Sequence, residues 1–149
     1  MQDRRRVSHG ERTQSTSDWI SRIQEPTKVS ELSPLAQRLV FSLRLTAVYR
    51  KARKDPLAEL TSRLGSMTVA VKALDLVETL ANIWPEPLQV RRCCCLIASH
   101  DEITIGRALD AVVAGNRCEH DLQLTDLVGP TGCERLWQAA TGLVTAELA

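Results

Sequence analysis

Aromatic side chains are scarce in this 149-residue chain: three tryptophans, one tyrosine and one phenylalanine, 3% of the residues. So few π-faces leave little for stacking nucleic-acid bases, and any core must be built from aliphatic side chains. No apolar run approaches the ~18–20 residues of a membrane-spanning helix. Neither sign of charge dominates, with 19 Lys and Arg against 18 Asp and Glu, net +1. That is not the balance of a strongly basic nucleic-acid binder or of an acidic tail. No repeat of fixed period is present. Catalytic signatures are missing as well, with no Gly-rich phosphate loop and no Gly-x-Ser-x-Gly elbow. The basic start Met1–Arg6 is followed by no apolar stretch of the ~7–15 residues a secretory signal requires. Cysteines number five, an odd count with three adjacent, which is not a secreted disulfide framework. These absences point to a cytoplasmic chain with reduced thiols and lean away from an enzyme.

What is present divides into two parts. Residues 1–31 hold six basic and five acidic side chains, many Ser, Thr and Gln, and few aliphatics. Such a segment buries too little apolar surface to offset its ordering entropy, so it reads as a disordered polar tail. Trp19, Ile20 and Ile23 stand out within it at helical spacing, suited to a short helix that docks on the body or on a partner. From residue 32 onward the pattern is helical. Ser33-Pro34 is a cap and first-turn pair, followed by Leu35, Leu39, Val40, Leu43, Ala47 and Val48 on one stripe. Asp55-Pro56 opens a second helix that Gly65 stops. Ser66 opens a third, carried by Val69, Ala73, Leu76, Val77, Leu80 and Trp84, and ended by Pro85 and Pro87. Residues 88–98 show no helical period and read as an extended connector. Ser99 and Glu102 form a capping box for a helix that Gly115 stops. A shorter helix follows to Gly129-Pro130, and Thr131 with Glu134 suggests a second capping box for the last one. The expectation is all-α: a compact bundle of about six helices, one domain over residues 32–149.

Charge is spread unevenly. Residues 1–94 carry 16 basic and 10 acidic side chains, net +6, and residues 95–149 carry 3 and 8, net −5. Arg38, Arg44, Arg50, Lys51, Arg53 and Lys54 occupy a stretch without an acid. They are the candidate patch for phosphates or for a protein partner; the plain alternative is a solvated helix face. The cysteine trio is the other unusual feature. Thiolates at Cys93 or Cys95 could join Cys118, His120 and Cys133 as soft ligands suited to zinc, provided they converge at about 2.0–2.3 Å. The usual Cys-x-x-Cys chelate is missing, and unpaired cysteines also serve as small buried apolar residues. Arg91 and Arg92 would favour a thiolate in this segment. His120, in Cys118-Glu119-His120-Asp121, reads as an exposed turn residue. Glu102 reads as a cap, and Trp84 and Trp137 as core anchors.

The segment Leu35–Arg44, the apolar helix Val69–Leu80, Cys93-Cys94-Cys95 and the helix beginning at Asp101 resemble, in that order, a family of small alphaproteobacterial proteins of sphingomonad type. That family is helical and of unknown function. The resemblance implies no activity, and it gives the cysteine cluster somewhat more weight than an accident of one chain would have. The functional expectation is therefore an accessory or protein-interaction module that binds another protein or itself, without a cofactor and away from membranes. A thiol-based metal or redox protein centred on Cys93–Cys95 is the first alternative. A weak nucleic-acid-binding regulator is the second.

Overall fold

Helix starts follow the capping chemistry in the computed structural model, which describes residues 25–149. The expected tail up to residue 24, with Trp19, Ile20 and Ile23, lies outside the described residues. Helix α1, Pro34–Lys51, begins where Ser33 Oγ accepts from the Ala36 amide at 3.1 Å. Pro34 sits where an amide would have no intrahelical partner. Asp55 Oδ1 accepts from the Leu57 amide at 3.0 Å at the start of α2, Leu57–Leu64. Gly65 ends that helix in the left-handed region, φ 80°. Ser66 caps α3, Met67–Ile83. This helix stops because a proline at 85 pushes Trp84 into extended backbone, ψ 135°. Residues 85–98 contain no helix, as expected of the connector. The Ser99–Glu102 capping box opens α4, His100–Val113, and Asn116 caps α5, Arg117–Leu148.

Among the described residues there are five helices, not about six. The two expected at the C-terminal end form one element with a kink at Gly129, φ 71° and ψ 176°. This backbone conformation is open only to glycine, and it absorbs Pro130 without a loop. Thr131 and Glu134 consequently cap nothing; Glu134 is occupied by Arg117 instead.

Helix α5 packs along both α3 and α4, α1 crosses α4 and α3, and α2 covers one side of α3. The shared core is aliphatic, with Leu39, Leu80, Leu109, Leu124 and Leu136 buried. Trp84 is buried and Trp137 packs against the core at its edge. Gly106 lets α4 approach α1 closely, since a Cβ there would stand 3.3 Å from Ala36 Cβ.

The boundary expected after residue 31 moves toward the N-terminus. The Val29 amide donates to Leu96 O at 2.8 Å, and the Ala98 amide donates to Thr27 O at 2.9 Å. Lys28 pairs with Ile97 as an isolated antiparallel bridge, and Val29–Glu31 forms a 3-10 turn. Backbone pairing, which composition does not register, ties these polar residues to the body. Among the described residues no helix is long and apolar enough to cross a membrane.

Gly129→Ala is expected to destabilise the fold by about 1–3 kcal/mol, the cost of forcing a side chain into this backbone region. Among the described residues no atom lies within 4 Å of the added Cβ, so urea unfolding should report a backbone penalty rather than a clash.

Candidate functional site: a buried arginine clamp beneath a cysteine loop

Arg44 stands one helical turn after Val40 and next to Leu43, on the inward face of α1, and is 4% exposed. Glu102, in the first turn of α4, is fully buried opposite it. The guanidinium meets the carboxylate in a fork, with Nε to Oε2 at 2.7 Å and Nη2 to Oε1 at 2.9 Å. Its other donors reach the connector backbone: Nη1 to Cys95 O at 2.6 Å and to Arg92 O at 3.2 Å, and Nη2 to Ile97 O at 3.0 Å. All five guanidinium N–H groups thus have acceptors. Glu102 Oε1 also accepts from the Ser99 amide at 2.8 Å.

The loop is fastened at its ends by the same cap. Ser99 Oγ donates to Gln89 O, and the Gln89 amide donates to Asp101 Oδ2 at 2.9 Å. Between these ties the Cys95 amide donates to Arg92 O at 2.9 Å, closing a turn through Cys93 and Cys94. Burial pushes the Glu102 carboxyl up. The hydrogen bonds from Arg44 and Ser99, with the guanidinium charge, outweigh that and hold it below the ordinary carboxylate value. The hydrogen bond to Glu102 raises Arg44 in turn, against its own desolvation.

The clamp fixes the backbone and leaves the side chains outside. Arg91, Arg92, Cys93 and Cys94 are exposed, Cys95 is half-buried, and Leu96 is 77% exposed. Sequence reasoning assigned Arg44 to an outward basic patch and Glu102 to capping alone. The available signal was position: Arg44 falls one turn after Val40 and next to Leu43, both buried, although the expected stripe does not extend to Ala47 and Val48, which are exposed.

The remaining candidates are dispersed. Arg38 Nε meets Glu147 Oε1 at 2.9 Å, and its Nη2 donates to Leu64 O at 2.9 Å. Arg50 Nη2 meets Glu78 Oε1 at 3.1 Å. Lys51, Arg53 and Lys54 remain exposed at the carboxyl end of α1, where cations suit the helix dipole. Of the six cations, Arg44 is buried in the clamp, Arg38 and Arg50 have acidic partners, and Lys51, Arg53 and Lys54 are exposed.

Among the described residues no three of His, Cys, Asp and Glu are gathered as a metal ion would need. Cys93 is exposed on the loop and Cys118 is exposed at the start of α5. Cys133 is buried beyond the kink, its Sγ 3.7 Å from Thr125 Oγ1. His120 is buried, not an exposed turn residue: it lies edge-on to Trp137 at 5.2 Å, with Nδ1 2.9 Å from Asp121 Oδ1. Arg117 lies over the same tryptophan and pairs with Asp121 at 3.0 Å and with Glu134 at 2.6 Å. These residues brace the two halves of α5 across Gly129.

Glu102→Gln leaves the Arg44 charge buried and unpaired, and should cost about 3–5 kcal/mol in denaturant unfolding. Replacing both partners, Arg44→Met with Glu102→Leu, should cost less than that single change. It should still speed amide exchange in residues 92–97, because their carbonyls lose the guanidinium. A carboxyl held low when folded adds stability above its unfolded value, near pH ~4.3. That contribution is lost as pH falls through the folded value, so the Glu102→Gln variant should show a shallower acid limb than the parent chain. In thiol titration of the folded protein, Cys93, Cys94 and Cys118 should react at once and Cys133 only on unfolding, as their exposure dictates.

Comparison with family models, with curated proteins and with solved structures finds no match for this chain.

Proposed function

We propose that this protein is a non-enzymatic protein-interaction module that presents the Arg91–Leu96 loop to its partner. One observation carries the reading. Every hydrogen-bond donor of a buried guanidinium goes to Glu102 or to the loop backbone, while Arg91, Arg92, Cys93, Cys94 and Leu96 of the loop are exposed. A buried ion pair is a poor source of stability compared with apolar residues of the same volume. Its benefit here is a fixed loop shape, and preorganised loops on rigid scaffolds are where recognition concentrates. Arg91 and Arg92 beside the exposed Leu96 suit a protein surface with acidic groups around an apolar pocket.

The thiol-based reading is favoured by the exposure of Cys93 and Cys94 in a single turn. The nucleic-acid reading loses support because Arg38, Arg44 and Arg50 are held by acids of the same chain.

A photo-crosslinking amino acid at position 96, in the full chain in its native cells, tests the proposal. The expected result is one discrete protein adduct that weakens when Arg91 and Arg92 are changed to Glu. It should also weaken in the Arg44→Met, Glu102→Leu chain. Absence of an adduct, or one indifferent to these changes, overturns the reading. An adduct that survives Cys93, Cys94 and Cys95→Ser supports the module; one lost in that variant supports the thiol reading.

A further inference from the structure

The kind of surface that the Arg91–Leu96 loop suits is present on this same molecule. On the outward side of α5, ahead of the kink, Leu122 is 72% exposed. Helical spacing puts Glu119 one turn before it and Asp126 one turn after it on the same face, and both are exposed. The opposite face carries His120 and Leu124 into the core. The three outward residues span about 10 Å of helix at 1.5 Å per residue. Among the described residues neither Glu119 nor Asp126 has a cation as partner, and neither Arg91 nor Arg92 has an acid. Glu119 meets only the neutral amide of Gln123, Nε2 to Oε1 at 3.0 Å. Within one chain the two surfaces do not cover each other, since Leu96 is as open as Leu122.

Charge selects the occupant. A net charge of +1 puts little overall repulsion between copies of the chain. Its distribution is two-signed, +6 over residues 1–94 and −5 over residues 95–149, and α5 holds two basic and five acidic side chains. Copies therefore attract when the basic part of one faces the acidic part of another. We propose that the loop's partner is a second copy of this chain, with the Arg91–Leu96 loop of one copy seated on the Glu119–Leu122–Asp126 face of the other. The inference rests on the interaction-module reading and names its partner. Leu96 packs on Leu122, while Arg91 and Arg92 meet Glu119 and Asp126. Other exposed apolar side chains are poorer hosts. Val48 has Lys51 one turn on, a like charge for the arginines, and Met67 and Val71 have a single acid on their helix face, Asp75. Beside Val113 and Leu148 the acids are taken, Asp110 by Ser33 and Glu147 by Arg38. A contact between two different patches either closes as a reciprocal pair or ring or runs on from copy to copy. One loop on one helix face is a small interface, so the association belongs to the weak, reversible class.

The test is sedimentation equilibrium of the full chain, kept reduced so that its thiols form no links. Association that grows with concentration is expected. Raising the salt from about 0.1 M to about 1 M shortens the screening length from about 10 Å to about 3 Å, and should weaken the association roughly tenfold. Arg91→Glu with Arg92→Glu should leave a monomer, and so should Glu119→Arg with Asp126→Arg; all four positions are exposed. Leu122→Ser should weaken the contact with every charge in place. Mixing the two charge-reversed chains should restore association, because each loop then finds a face of opposite sign on the other chain. A parent chain that stays monomeric at every concentration overturns the proposal. So does association indifferent to either reversal, or reversed chains that fail to associate when mixed. The photo-crosslinker at position 96 separates this inference from the reading beneath it. An adduct of twice the chain mass, linked within residues 118–126, supports both. A discrete adduct with a different protein overturns the second copy and leaves the module standing, and no adduct at all overturns both.

Discussion

The Arg44–Glu102 pair links parts of the molecule that nothing else joins in the same way. Through it α1 is bound to the amino-terminal turn of α4, and both are bound to the connector at Arg92, Cys95 and Ile97. Two charges leave water to make it, which is unfavourable until each donor and acceptor finds a partner in the interior. The condition is met by borrowing from the local structure. The Ser99 cap supplies an amide to Glu102, and loop carbonyls that would otherwise need water accept from Arg44. Helix initiation, ion pairing and loop shape are thus one network, and removal of a single partner leaves the others in apolar surroundings.

A second polar network does a different job. Helix α5 could not run straight past Pro130, and Gly129 supplies the turn. The two halves are then held together from the side by Arg117, which lies over Trp137 and reaches Glu134. His120 is enclosed edge-on against the same ring. These contacts keep Leu124 and Leu136, one on each side of the kink, in a single core. Two of the chain's five aromatic residues pack at helix ends and bends: Trp84 at the end of α3 and Trp137 beside the α5 kink.

Helix starts, stops and the buried stripes were legible from residue types, because caps, prolines, glycines and apolar spacing act over three or four residues. Ser33, Ser66 and Ser99 cap as their positions suggest, and the stripe residues Leu39, Leu43, Leu76 and Leu80 are buried. The candidate site was barely legible. Glu102 was visible as a cap and Arg44 as one cation among six, and the 58 residues between them conceal their pairing. Glu134 misled for a related reason, since a carboxylate three residues after a threonine resembles a cap whether or not a helix begins there. His120 misled because its polar neighbours describe the outside of α5 rather than the face it occupies.

Residue types alone establish that the chain is helical, where α1 to α4 begin, where α2 to α4 stop, and that the core is aliphatic. Those outcomes depend on local backbone preferences and on burial of apolar stripes, both encoded within a few turns. The fold settles which charges are buried, that Cys133 is buried while Cys93, Cys94 and Cys118 are exposed, and that residues 27–31 join the body. These depend on the pairing of groups far apart in the chain, where the free energy of a charge or an unpaired amide is set by what happens to lie opposite it. Residue identity states what a side chain can bond to; the fold determines whether that partner or water is there.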